Sequence, residues 1–260
     1  MDHRVTTTDA VRLHVLGDEA AVADEDLYRL YAYPAGLSRC VVRANFIASL
    51  DGGATTGGTS GGLGGAGDRA LFAVQRELAD VIVVGAGTAR AENYGGARMS
   101  VAQRQRRQAR GQSEIPPIAL VTRSGVLEHD LAVLTGSEVR PLVLTCTAVA
   151  ADARSRVGST AEVIDCSAAD PGQVDLATLL GRLADRGLLR VLTEGGPSLL
   201  GAFIAAGLLD EMCLTSAPIL VGGSAVRIAA GGAETLTAMR RAHVLADADG
   251  YLYTRYVRAN

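Results

Sequence analysis

Lysine is absent from this chain of 260 residues; all 25 basic positions are arginine. A Schiff-base lysine and a P-loop lysine are thereby excluded. Cysteine is sparse, and Cys40, Cys146, Cys166 and Cys213 form no CxxC pair. Cys146 lies in the apolar run LVLTC and Cys213 in EMCLT, so buried structural thiols are expected rather than a disulfide framework. No apolar run approaches the ~20 residues that a membrane helix needs. The amino terminus, MDHRVTTTDAVRLHVLGDEA, is charged throughout and lacks a signal-peptide core, which predicts a cytoplasmic protein without a membrane partner. None of His3, His14, His129 and His243 stands near a paired cysteine, so no metal site is expected. The net charge of −3 argues against a general affinity for nucleic acid. The one basic run, Arg104 to Arg110 (RQRRQAR), contains no aromatic residue and reads as a solvated helix face.

What is present is apolar and rich in glycine: 48% hydrophobic residues and 31 glycines suit a well-buried sheet with many tight turns. Residues 1–38 read as a polar lead-in with one short helix in DEDLYRLYAYP, stopped near Pro34. Residues 39–260 read as one domain. A strand over Cys40–Ser49 enters the glycine-rich loop LDGGATTGGTSGGLGGAGD. Asp68 can then cap a helix in which Leu71, Val74 and Leu78 repeat at helical spacing. Short apolar strands follow at VIVV, PIALVT, PLVLT, AEVID and LRVLTE, separated by helices, and then LLDEMCLTSAPIL and YLYTRYVR. This alternation predicts an α/β fold: a mostly parallel mixed sheet between two helical layers, with an antiparallel C-terminal edge.

Open α/β sheets bind ligands beyond the carboxyl ends of their strands. Two such ends carry glycine turns, VVGAGT with Gly85 and Gly87 and TEGGPS with Gly195 and Gly196, and a third opens the long loop. Glycine lets backbone approach a ligand, and a following helix offers free N–H groups to phosphate, so the pair suits a dinucleotide pyrophosphate. Each turn alone could equally be only a tight turn. Neither fits GxGxxG, since Arg90 stands where the third glycine would, which disfavours a standard Rossmann enzyme. Arg76 could pair with Asp80 at i,i+4, and Glu194 could cap its own helix start. A carboxylate at a sheet's carboxyl edge is more often functional. Asp51, in an Asp-Gly pair, reads as a turn residue.

The blocks NFIASLDGGATTGGTS (45–60), RELADVIVVGAGTARAEN (76–93) and TEGGPSLLGAFIAAGLLDEMCLTSAPILVGG (193–223) resemble the reductase domain of the riboflavin-biosynthesis deaminase-reductase, RibD. SLDG, GxGT and EGGP in this order and spacing are far more specific than any one of them. The resemblance runs from about residue 40 to the C-terminus. It implies a dihydrofolate-reductase-like fold, NADPH as hydride donor, commonly a homodimer, and 5-amino-6-(5-phosphoribosylamino)uracil reductase-like activity. It places the cofactor phosphates at Gly196, Pro197, Ser198, Leu199 and Leu200. It adds Gly62, Thr88 and Glu92 as cofactor contacts, and Ser60, Arg76 and Glu194 as substrate contacts. Asn45 and Ser49 would face the nicotinamide or substrate ring. Arg123, just past PIALVT, is a candidate for the cofactor 2′-phosphate, with a solvated loop charge as the alternative.

The chain also departs from the family pattern. No deaminase zinc signature occurs in it, Asn45 replaces a lysine, and ENYGGAR (92–98) replaces DDPxLTxR. Arg98 stays a candidate for the substrate phosphate from its shifted neighbourhood. A pterin reductase is the alternative, with Asp68 holding the 2-amino and N3 ring edge. A non-catalytic nucleotide-binding protein is a third reading.

Overall fold

The computed structural model describes residues 12–15, 21–232 and 234–259; His3 lies outside them. Among the described residues, ten strands form one sheet. They are β1 (His14–Val15), β2 (Val41–Ser49), β3 (Val81–Gly85), β4 (Ile118–Val121), β5 (Leu142–Thr145), β6 (Glu162–Asp165), β7 (Arg190–Gly195), β8 (Glu211–Ala217), β9 (Met239–Ala246) and β10 (Leu252–Arg258). The helices are α1 (Asp24–Leu30), α2 (Ala66–Leu78), α3 (Ala86–Ala91), α4 (Val101–Ala109), α5 (Ala132–Thr135), α6 (Thr147–Val157), α7 (Leu176–Ala184) and α8 (Pro197–Ala205).

The sheet order is β1-β9-β10-β8-β2-β7-β3-β4-β5-β6. From β8 through β6 every neighbouring pair is parallel, while β10, β9 and β1 form the antiparallel edge. The chain runs outward from β3 to β6 and returns to insert β7 between β2 and β3. That reversal is a topological switch point, where a crevice opens above the strand ends.

Period-two alternation places the core. Ile82 and Val84 of β3 join Leu120, Val133 and Leu192 on one face, while Val81 and Val83 join Leu179, Leu183 and Phe203 on the other. Leu71, Val74 and Leu78 of α2 are buried as their spacing predicts, against Leu245 and Tyr253 of the antiparallel edge. Leu27 and Tyr31 of the lead-in enter the same cluster, so α1 packs against the domain. All four cysteines are buried.

Three local expectations are corrected. The arginine run is a solvated face only in part: Arg106 and Arg110 are exposed, but Arg107 is not. Arg107 is fully buried and donates to the carbonyls of Glu77, Ala79 and Ser113 at 2.8, 2.6 and 2.7 Å, and burial lowers its pKa to about 10. Arg106 and Arg110 pair with Glu77, and Arg104 with Glu138, so the run ties α4 to the end of α2. Asp68 is not the helix cap: α2 begins at Ala66 with Gly65 in that position. β9 was not foreseen; the exposed Arg240 and Arg241 break its apolar alternation.

Candidate active site

A cleft of about 610 Å³ opens at the switch point. Its floor is Asn45 and Ile47 of β2, and one wall is the α2 face bearing Asp68, Phe72 and Arg76. The opposite wall is formed by the two glycine turns: Gly87 and Thr88 after β3, and Gly195, Gly196 and Pro197 after β7. The glycine-rich loop closes the mouth with Thr55, Gly58 and Ser60, and residues 91–96 close the far end.

Thr88 joins the two turns. Its Oγ1 accepts a hydrogen bond from Gly196 N at 3.1 Å, and a Cβ on Gly195 or Gly196 would stand 2.7 Å from Thr88 atoms. A Cβ on Gly87 would meet nothing within 4 Å, so the turn faces open cleft. α8 starts at Pro197 with its N-terminus on the cleft, where N–H groups and the helix dipole favour anions. These turns fit the pyrophosphate of a dinucleotide.

The α2 wall holds a polar cluster. Arg76 makes a bidentate pair with Glu194 at 2.8 and 2.7 Å, and the Glu194 side chain is only 1% exposed. Tyr94 donates its hydroxyl proton to Glu194 and accepts from Arg76 at 2.9 Å. The Arg76 guanidinium lies over the rings of Phe72 and Tyr94, 4.1 and 5.3 Å from their centroids. Burial works against the Arg76 charge, but Glu194 and Tyr94 raise its pKa on balance. Burial, then the Glu194 charge, pushes the Tyr94 hydroxyl well above its ordinary range. Asp68 accepts from Thr215 Oγ1 at 2.7 Å; burial raises its pKa, opposed by Thr215 and Arg69. Glu92 accepts from Ser60 N at 2.8 Å and so pins the glycine-rich loop to the turn after α3.

The expected residues divide accordingly. Asn45, Ser60, Asp68, Arg76, Gly87, Thr88, Glu92, Glu194, Gly195, Gly196 and Pro197 line the cleft together. Neither bland alternative describes Arg76 or Glu194, because they pair with each other while Asp80 pairs with Arg190. Ser49 does not face a ring. Its hydroxyl donates to Asp51 at 2.5 Å and accepts from Gly53 N at 2.9 Å, which staples the loop exit. Asp51 also accepts from Val221 N and Gly222 N, and these bonds, with Ser49 foremost, lower its pKa to about 2. The side chains of Leu199 and Leu200 are core, leaving only their backbone for a ligand. Ser198 is exposed at the start of α8. Gly85 caps α3 beside Gly195, and Gly62 packs on Thr56; neither lines the cleft. Arg98 and Arg123 are exposed and lie outside the lining.

Phe72, Gln75, Tyr94 and Thr215 were missed. Phe72 stands four residues from both Asp68 and Arg76, so helical spacing could have placed it on their face. Thr215 and Tyr94 carry no sequence signal, because only the tertiary fold brings them to Asp68 and to the Arg76–Glu194 pair. Among the described residues, no group of three His, Cys, Asp or Glu could hold a metal ion, and no helix is long and apolar enough to cross a membrane.

Comparison with known proteins adds a lineage. The RibD C-terminal domain model matches residues 40–253. The riboflavin biosynthesis protein RibD of Bacillus amyloliquefaciens is 30% identical over 145 residues, 55% of this chain and 36% of that protein. The 2,5-diamino-6-ribosylamino-4(3H)-pyrimidinone 5′-phosphate reductase of Archaeoglobus fulgidus is 30% identical over 148 residues, 57% of this chain and 66% of that one. The matched chain thus spans less than two thirds of either relative's own length. Among solved structures, a pyrimidine reductase-like protein from Corynebacterium diphtheriae shares the fold with a TM-score of 0.75 and 27% identity, over 85% of this chain and 92% of that one. With the family blocks in order and the glycine turns gathered at one switch point, the chain belongs to the RibD C-terminal domain family.

Proposed function

We propose that the protein is an NADPH-dependent reductase of a pyrimidine of riboflavin biosynthesis, a ribosylaminopyrimidine 5′-phosphate. The observation that carries this reading is the shared cleft, in which two phosphate-competent glycine turns face Asn45, Asp68 and the Arg76–Glu194 pair. The nicotinamide group supplies the hydride when bound. The turns at Gly87 and Gly196 hold its phosphates, and Thr88 keeps them in register. Arg123 stands two residues past β4, the strand next to β3. It is the candidate for the 2′-phosphate, and the NADPH preference rests on it and on the family resemblance.

Asn45 and Asp68 orient the substrate ring, and Ser60 and Arg76 take its sugar phosphate. Asp68, held by Thr215 through Oδ1, offers Oδ2 to the ring edge. The reductase unit is residues 39–260, with the lead-in strapped onto it, in a cytoplasmic homodimer.

A second reading, reduction of a pterin, is favoured by one observation. Arg76 is the sole arginine among the described residues lining the cleft, and Glu194 already pairs with it. A pterin has no phosphate to satisfy, and its 2-amino and N3 edge suits Asp68. The test is NADPH consumption with 2,5-diamino-6-ribosylamino-4(3H)-pyrimidinone 5′-phosphate and with dihydrofolate, each assayed on wild type and Arg76→Ala. Turnover of the phosphate ester, weakened in apparent binding by Arg76→Ala, supports the first reading. Turnover of dihydrofolate alone installs the second.

A further inference from the structure

Gln75 lies on α2 between Phe72 and Arg76, two per cent exposed and outside the cleft. Its Nε2 donates to Asn45 Oδ1 at 2.9 Å, while its own Oε1 is buried without a partner. The reversed pairing would leave the Gln75 N–H groups orphaned instead, and buried orphan donors are rarer than under-used acceptors. With Oδ1 turned to Gln75, the Nδ2 hydrogens are what Asn45 presents to the cleft that it lines. Asn45 is therefore presented as a donor.

Its neighbours set which ligand meets it. Asn45 and Ile47 pair in register with Cys213 and Thr215 of β8, and Thr215 holds Asp68 Oδ1, leaving Oδ2 for a ligand. The glycine turns stand at the ends of β7 and β3, on the other side of β2. A donor from Asn45 beside an acceptor from Asp68 complements a ring edge that carries a carbonyl next to an N–H, a lactam.

We propose that Gln75 is a positioning residue that fixes the Asn45 amide, making Asn45 a reader of the substrate ring's lactam carbonyl. The inference rests on the reductase reading and deepens it: the ring must be 4-oxo, and a 4-amino ring meets donor against donor. A buried glutamine with an unpaired oxygen gives little stability, since an apolar side chain of similar shape leaves nothing unsatisfied.

The test uses pterin and 2,4-diaminopteridine, which differ at the 4-position, titrated against the NADPH-saturated protein. Because Asp68 also affects the diamino ring, the readout is the change in the ratio of the two affinities between variants. Gln75→Glu, which when ionised can only accept, turns the Asn45 amide over and moves the ratio about tenfold toward the 4-amino ring, the scale of one hydrogen bond. Gln75→Met frees the amide and moves the ratio the same way by less, with no loss of melting temperature. In an Asn45→Ala background, Gln75→Glu leaves the ratio where Asn45→Ala alone puts it, which separates orientation from added charge. A ratio unmoved by Gln75→Glu, or moved equally without Asn45, overturns the inference while leaving the reductase reading intact. Wild-type protein that binds neither ring overturns the inference and the pterin reading, and the pyrimidine reading then stands or falls by its own assay.

Discussion

Arg76 on α2 and Glu194 at the end of β7, 118 residues apart in sequence, form a bidentate ion pair that joins the two walls of the cleft. Tyr94 completes it from the segment after α3. Removing one member of such a pair strands a charge away from water. Glu194→Leu should therefore destabilise the fold by about 3 kcal/mol, near the lower end for buried pairs because Arg76 retains some exposure. Tyr94→Phe should cost about 1 kcal/mol. In denaturant unfolding, the Arg76→Met/Glu194→Leu double variant should recover part of the loss. Additive losses would show that the two side chains are not coupled.

Asp68 links catalysis to stability. Its pKa is raised by burial, so its contribution to folding is present below the unfolded carboxyl pKa and lost as pH rises through the folded value. Asp68→Asn keeps an acceptor for Thr215 and removes the buried charge. It should melt higher than wild type near about pH 7, with the gap closing toward about pH 4, while turnover falls. A variant that is both less stable and fully active would contradict this role.

His243 makes the antiparallel edge sensitive to acid. Burial lowers its pKa to about 4, with Arg255 and Arg43 adding and Glu211 opposing, and its ring meets Tyr31 edge-on at 4.9 Å. The unfolded chain takes up this proton near about pH 6.5 and the folded chain only near pH 4, so stability falls as pH drops between them and levels off below. Glu77 and Glu211, whose carboxyls stay below their ordinary values because arginine partners outweigh burial, lose their contributions only at more acid pH. His243→Phe should flatten the melting temperature between about pH 6.5 and 4.5. An unchanged slope there would mean that His243 is protonated in the folded state.

The parallel strands, the buried stripe of α2 and the glycine turns were legible because each is written in local periodicity. The buried charges were not. Arg107 reads as one more member of a solvated run, and only folding brings it against the carbonyls of Glu77 and Ala79. Arg43, fully buried on Glu211 and under Tyr33, looks like an ordinary strand residue in sequence. In the cleft, the residues found were, Asp68 apart, those in family blocks, whereas Tyr94 and Thr215 depend on pairings a hundred or more residues distant. Arg107→Leu should be among the most destabilising single changes, since three carbonyls lose a close, charged donor together. A melting temperature near that of wild type would return Arg107 to the surface role read from its run.

The most direct measurement is a single-turnover reaction with NADPH deuterated on either face of nicotinamide C4, followed by mass spectrometry of the product. The expected result is one deuterium carried from one face into the reduced ribosylaminopyrimidine phosphate, or into tetrahydrofolate if the pterin reading holds, and lost in a Gly196→Val variant that blocks the turn. NADPH left unoxidised with both substrates, or oxidised without label entering either product, would contradict hydride transfer in this cleft.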